Sequence, residues 1–311
     1  MTGPRIGDAF GEMLLTCWKS AGAQQVKANV PEIVERDDGF ISVQRPARYF
    51  AEPAQWRDFE RAALELAARE PDGPVLDVGC GAGRFALALQ ERGVPVTGLD
   101  TSAGAVEVAR LRGVRDVVHG SVGALTGRYG TFLLMGENIG LLESGRRGPG
   151  FLAELAAAAQ PGARPGAQPG ARPGAQPGAR PGAQPGARPG AQPGAQPGAR
   201  IGARPGARII GHGADPAPIL SGAAGDAEFA AYLRRNTALG RLPGELTIRV
   251  RHRDLATGWF GYLLCSPAEL AALAEPAGWR LDSAEYADKA NYLAVLTLRG
   301  AASSRGAVAS K

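Results

Sequence analysis

Residues 75–87, Val-Leu-Asp-Val-Gly-Cys-Gly-Ala-Gly-Arg-Phe-Ala-Leu, constrain this chain more than any other stretch. Val75 to Val78 form a short, mostly apolar run that reads as a strand buried in a parallel sheet. Gly79, Cys80, Gly81, Ala82 and Gly83 then carry almost no side-chain bulk, and helical spacing starts at Arg84 with Phe85, Leu87 and Leu89. A strand, a glycine turn and a helix in succession make a nucleotide-type ligand site. Glycine lets the backbone turn sharply and lets a ligand come close to it, while the helix N-terminus offers unpaired N–H groups.

The glycine spacing separates two ligands. A dinucleotide fingerprint, G-x-G-x-x-G, needs its third glycine at position 84, where Arg84 stands. The spacing here is G-x-G-x-G, at Gly79, Gly81 and Gly83, with Asp77 on the strand before it. A second apolar stretch, residues 94–99, ends at Asp100, and an acid at that strand end can accept hydrogen bonds from both hydroxyls of a ribose. Thr101 and Ser102 follow as a helix cap.

On these residues the chain resembles the class I S-adenosylmethionine-dependent methyltransferases, whose first motif has this glycine pattern. The resemblance extends over residues 74–299, apart from a repeat at 161–208 and a hairpin at 240–264. It implies S-adenosylmethionine as cofactor, held by Asp77, Gly79, Cys80, Gly81, Gly83, Asp100, Thr101 and Ser102. Family members often hold the adenine amine with an acid after the third strand; Gly120-Ser121-Val122 stand there instead, so Ser121 and the Val122 N–H take that contact. The fourth strand ends in Met135-Gly136-Glu137-Asn138, which the resemblance places beside the methyl group and its acceptor. Glu137 is therefore expected either to hold the cofactor amine or to act as base. His212, at the end of the fifth strand with Asp215 after it, is the other candidate base. The fourth strand end lacks the Asn-Pro-Pro-Tyr pattern of amino-group methylases acting on nucleic acid bases or protein glutamine.

The fold expected is α/β: a doubly wound, mostly parallel seven-stranded sheet with an antiparallel closing strand. Core strands are expected at 75–78, 94–99, 114–119, 131–136 and 209–212, with residues 279–286 and 291–298 closing the sheet. Residues 1–73 read as an N-terminal lid with a helix over 10–23, a hairpin over 32–43 turning at Asp37-Asp38-Gly39, and a helix over 54–69. Glu35, Arg36, Asp37 and Asp38 are either a polar turn or, with Tyr49 and Phe50, part of the lid's lining. The aromatic stripe Trp259, Phe260, Tyr262 reads as packing on the inserted hairpin. Residues 300–311 read as a disordered tail.

Residues 161–208 are twelve tandem tetrapeptides, Pro-Gly-Ala-Arg or Pro-Gly-Ala-Gln, with Ile201 once in place of proline. They have no apolar face to bury. They read as the expansion of one helix-to-strand turn within a single domain, on the sheet edge away from the ligand. Closing a loop of 48 residues in place of one of 4 costs only about 2 kcal/mol. Removing residues 161–204 is thus expected to leave cofactor affinity unchanged and to raise the melting temperature slightly, as a cofactor titration and a thermal melt would show.

The formal charge of +5 belongs to this repeat, which holds seven arginines and no acid, leaving −2 elsewhere. The globular part therefore gives no reason to expect nucleic acid as partner. Cys17, Cys80 and Cys265 have neither metal spacing nor an even disulfide set, and no run suits a signal peptide or a membrane span. No metal is expected. The reading is a cytoplasmic enzyme methylating a small molecule, with secondary metabolism as its expected setting. The rivals are a non-catalytic cofactor-binding or arginine-repeat interaction protein and a nicotinamide oxidoreductase.

Overall fold

The computed structural model describes residues 4–21, 30–69, 73–159, 206–223 and 226–299. From the N-terminus, β1 (Arg5–Ile6) and α1 (Ala9–Ala21) precede the hairpin β2 (Glu32–Arg36) and β3 (Ile41–Gln44). Helix α2 (Asp58–Ala68) leads into β4 (Val75–Val78), α3 (Arg84–Glu91), β5 (Val96–Asp100), α4 (Ala103–Leu111), β6 (Val117–His119), β7 (Thr131–Leu134) and α5 (Gly148–Ala157). Then come β8 (Arg208–Ala214), α6 (Ala217–Leu220), α7 (Ala227–Ala238), β9 (Glu245–His252), β10 (Leu255–Ala256) and β11 (Phe260–Leu263). Helix α8 (Pro267–Ala274) and the pair β12 (Trp279–Tyr286) and β13 (Asn291–Leu298) complete the described chain.

The main sheet has seven strands in the order β12-β13-β8-β7-β4-β5-β6. β8, β7, β4, β5 and β6 run parallel, and β13 is antiparallel to both of its neighbours. Alternation along the strands divides the core between two faces. Leu76, Val78, Phe132, Leu134 and Ile209 pack with Leu152, Leu155, Leu270 and Trp279, and Trp279 donates its indole N–H to Leu152 O at 2.9 Å. Val75, Leu133, Ile210 and Leu293 pack with Trp56, Leu64, Phe85 and Leu89 on the other face. Helices thus cover both sides, as the α/β reading requires.

Several expected boundaries shift. The second core strand starts at Val96, after Pro95, and the third is confined to Val117–His119. The fourth ends at Leu134, because Gly136 and Glu137 both adopt left-handed backbone, at φ +77° and +67°, and reverse the chain. The fifth is longer than expected and carries His212 in its interior.

A second sheet was not foreseen. The N-terminal hairpin and the inserted strands pair with each other in the order β1-β10-β9-β2-β3, with β11 also on β9. Ile33 pairs with Arg251 and Arg36 with Ile248, so the lid and the insert share one sheet. The Glu35-to-Asp38 cluster belongs to this sheet's framework. Glu35 takes a two-point ion pair from Arg249 at 2.9 Å, and Arg36 pairs with Asp38 while lying over the rings of Phe40, Phe229 and Tyr232. Helix α1 crosses α4 at Gly11 and Gly104, where a Cβ on either would collide with the other's backbone. Asp8 ties this crossing, accepting from Gly11 N, Ser102 Oγ and Gly104 N, each at 2.9 Å.

The repeat up to residue 205 and the tail from residue 300 lie outside the described residues. Of the repeat's flanks, Ala159 bridges to Tyr129, just before β7, and Arg208 opens β8. Among the described residues no helix is long and apolar enough to cross a membrane.

Candidate active site at the carboxyl edge of the sheet

The glycine turn joins β4 to α3 where the parallel strands end, and each of its three glycines has a different task. Gly79 is left-handed at φ +68°, and a Cβ there would press on Asn138 Nδ2 at 2.7 Å. Asn138 uses that nitrogen to donate to Val78 O at 2.8 Å and Gly79 O at 3.0 Å, tying the end of β7 to the turn. Gly83, at φ +76°, lies against Val114 and Ala109 and serves packing. Gly81, at φ +54°, faces a space that, among the described residues, only the rings of Tyr49 and Phe10 approach, at 3.7 and 4.0 Å from where a Cβ would stand. Of the three, Gly81 is where a ligand can approach the backbone.

Asp100 ends β5 beside it, 8% exposed. Its Oδ2 accepts from Gly81 N at 2.8 Å and its Oδ1 from Ser102 N at 2.9 Å, leaving further lone pairs on both oxygens. Burial raises the Asp100 pKa, and the Ser102 and Gly81 amides oppose that rise. The carboxylate thus holds the turn, caps the next helix and remains able to accept hydroxyl donors.

The other residues expected at the cofactor are less uniform. Asp77 is 3% exposed, and its Oδ2 is buried without a hydrogen-bond partner among the described residues. Burial pushes its pKa up to about 7, with the Ala86 amide and Arg84 acting in the opposite direction. A carboxyl raised in the folded state stabilises the fold below its unfolded value near 4, and that contribution is lost as pH rises through about 7. Asp77→Asn should therefore gain stability relative to the parent between pH 5 and 8, read as a widening gap in urea midpoints. A constant gap would mean that Asp77 does not titrate in that range.

The side chains of Cys80, Ser102, Val122 and Met135 are taken up by the protein's own packing and hydrogen bonds, and the contact expected of Val122 was its backbone N–H. Cys80 is buried over Gly98, and its N–H is bonded to Leu99 O at 3.0 Å. Ser102 Oγ accepts from Ala105 N at 3.0 Å as the α4 cap and donates to Asp8. Val122 and Met135 are buried in the two core layers. Thr101 and Ser121 are exposed, and Thr101 O meets the His119 ring at 3.0 Å. Arg84, which occupies the position a third dinucleotide glycine would take, is paired with buried Glu60 and lies over Trp56 and Phe85.

At the end of β7, Glu137 combines a left-handed backbone with three hydrogen bonds to its peptide groups. Its N–H donates to His212 Nδ1 at 2.9 Å, and its C=O accepts from Tyr262 OH at 2.7 Å and Gly140 N at 2.8 Å. Burial and then the negative charge of Glu137 push the Tyr262 pKa up, and at Arg48, where burial acts downwards, the same charge helps to raise it. Arg48 and Tyr49 in turn both donate to buried Glu32 at 2.7 Å. Glu32, Arg48, Tyr49, Glu137 and Tyr262 thus form one electrostatic cluster beside the glycine turn.

Sequence reasoning missed Phe10, Asn138, Glu32 and Arg48, and took Tyr262 for packing. The left-handed turn after β7 was signalled only by Gly136. His212, expected at the end of the fifth strand, lies inside β8, is 4% exposed, and has both ring nitrogens engaged. Asp215 is a cap, accepting from Ala217 N at 2.8 Å and from Tyr286 OH at 2.5 Å. Among the described residues no group of three or more histidine, cysteine or acidic side chains could hold a metal ion.

Comparison with known proteins agrees with this architecture. The family model described as "Methyltransferase domain" matches residues 75–162. A malonyl-[acyl-carrier protein] O-methyltransferase of Serratia marcescens is 41% identical over 64 residues, 21% of this chain and 25% of that protein. The chain therefore spans about a quarter of the length of that curated relative. A Bacteroides fragilis S-adenosylmethionine-dependent methyltransferase solved with S-adenosyl-L-homocysteine has the same fold, with TM-score 0.65 and 21% identity over 94% of this chain and 95% of that one. Residues 75–162 thus match a methyltransferase domain, and the seven-stranded sheet has the fold of the Bacteroides fragilis S-adenosylmethionine-dependent methyltransferase.

Proposed function

We propose that this protein transfers a methyl group from S-adenosylmethionine to a small-molecule acceptor. The observation that carries this reading is the opening above Gly81, bordered by the buried Asp100 carboxylate. The residues present fit the cofactor: Asp100 retains lone pairs for two ribose hydroxyls, and at the root of the turn a buried carboxylate oxygen of Asp77 lacks a partner among the described residues. Ser121 and the Val122 N–H stand at the end of β6 for the adenine. When bound, the cofactor supplies a methyl group already activated on sulfonium sulfur.

The protein's own work is then alignment and exclusion of water. Phe10 and Tyr49 pack edge to face at 5.3 Å over Gly81 and close the site from the lid side. Glu137, near Arg48 and Tyr262, stands on the side where lid and insert meet the sheet. We assign its carboxylate to the acceptor, where it takes the proton of a hydroxyl or ammonium group. A cytoplasmic location fits the three free thiols.

The test is calorimetric titration with S-adenosylmethionine and, separately, with nicotinamide cofactors, followed by transfer of labelled methyl to a panel of small hydroxyl and amine compounds. Binding of the nicotinamide cofactor alone would establish the oxidoreductase reading. Tight S-adenosylmethionine binding with no labelled product from cell extract would establish a non-catalytic binder.

A further inference from the structure

We infer that His212 is a positioning residue: as a neutral ring protonated on Nε2, it relays a fixed hydrogen-bond direction from Asp288 to the peptide of Glu137. The chain of contacts leaves one arrangement. Asp288 is a carboxylate and can only accept, so Asn291 must turn its amide nitrogen towards it, at 3.1 and 2.8 Å from the two oxygens. Asn291 Oδ1 then faces His212 Nε2 at 3.0 Å and requires a proton there. On the other side of the ring, the Glu137 N–H can only donate, so Nδ1 at 2.9 Å must carry a lone pair. Each link fixes the next, from an exposed carboxylate to a half-buried peptide group.

The surroundings suit a neutral ring. Phe59 packs on it with centroids 4.7 Å apart, and burial lowers its pKa. The charged groups facing it are Glu137 from the β7 turn, Glu60 and Arg57 from the α2 region, and Asp288 through Asn291; the two glutamates act against burial and Arg57 acts with it. Protonation at Nδ1 would replace the acceptor by a donor and break the bond to Glu137. That bond matters because Glu137 is a non-glycine residue in left-handed backbone, a conformation that persists only where its surroundings hold it. His212 from β8, Tyr262 from β11 and Gly140 hold it from three directions. The ring's role is to fix the turn that presents the Glu137 carboxylate and that carries Asn138 to the glycine turn.

This inference rests on the assignment of Glu137 to the site, and its test separates the two. Ring nitrogen NMR of the full-length protein, with His212 identified by loss of its signals in His212→Asn, should show the Nε2–H tautomer with no titration between pH 5.5 and 8. A ring that titrates near the ordinary histidine value of about 6.5, or that is protonated on Nδ1, overturns the inference. Asparagine keeps an acceptor at the place of Nδ1, whereas leucine keeps none. With S-adenosylmethionine as probe, His212→Asn should bind within about threefold of the parent and His212→Leu roughly tenfold more weakly. Equal affinities for the two variants would overturn the positioning role. A parent that binds no S-adenosylmethionine refutes the function proposed above, while the tautomer still reads out the relay.

Discussion

Gly81→Val is expected to abolish S-adenosylmethionine binding, by more than about 100-fold, while leaving the protein folded. The residue sits at φ +54°, where a β-branched side chain is strained by roughly 1–2 kcal/mol, a loss of a few degrees in melting temperature. Among the described residues no backbone stands in the way of the new side chain; only the Tyr49 and Phe10 rings come within 4.0 Å. The valine methyl groups therefore fill the opening that the ligand needs. Gly83→Val provides the contrast, because a Cβ there would press against Val114 at 2.6 Å and damage the packing of α3. Substitution at Gly81 should thus be read in calorimetry and substitution at Gly83 in the thermal melt. A Gly81→Val protein that binds like the parent would show that the opening is not the cofactor site.

Asp100→Ala should weaken S-adenosylmethionine roughly 10- to 150-fold, the range for losing hydrogen bonds to a charged acceptor. It should also lower stability by about 2 kcal/mol, since the Gly81 and Ser102 amides both lose their acceptor at 2.8 and 2.9 Å. Asp100→Asn is informative because its side chain has one acceptor for two N–H donors. One amide must then face an NH2 group, so stability falls even though shape is kept. Affinity is to be measured at a temperature where every variant is folded. Unchanged affinity in folded Asp100→Ala would remove the ribose assignment and leave Asp100 as a structural tie.

Much of the fold was legible because its signals are local. The β4–turn–α3 unit announces itself by an apolar run, three turn glycines and a change to helical period, and the structure starts and ends β4 at Val75 and Val78 as expected. Ser266-Pro267-Ala268-Glu269 specifies a capping box within four residues, and Ser266 and Glu269 form one at the start of α8. Asp100 was legible for the same reason: an acid at a strand end lies at the carboxyl edge in any parallel sheet.

The second sheet and the inner site depended on tertiary structure. β2 and β9 pair Ile33 with Arg251 across more than 200 residues, and nothing in either strand names its partner, since any two alternating strands of that length can pair. The separate tasks of Gly79, Gly81 and Gly83 follow from which side chains arrive beside each, Asn138, Tyr49 and Val114 from three different segments. His212 shows the division most plainly. Its place on a strand near the ligand edge can be read from sequence, but its protonation state is set by Glu137, Asn291 and Asp288, which only the folded chain brings to one ring. The sequence alone determined the parallel sheet and its glycine turn, because period, turn chemistry and caps act within a few residues. Tertiary structure decided what each polar side chain does there, because hydrogen-bond partners are chosen by distance in space.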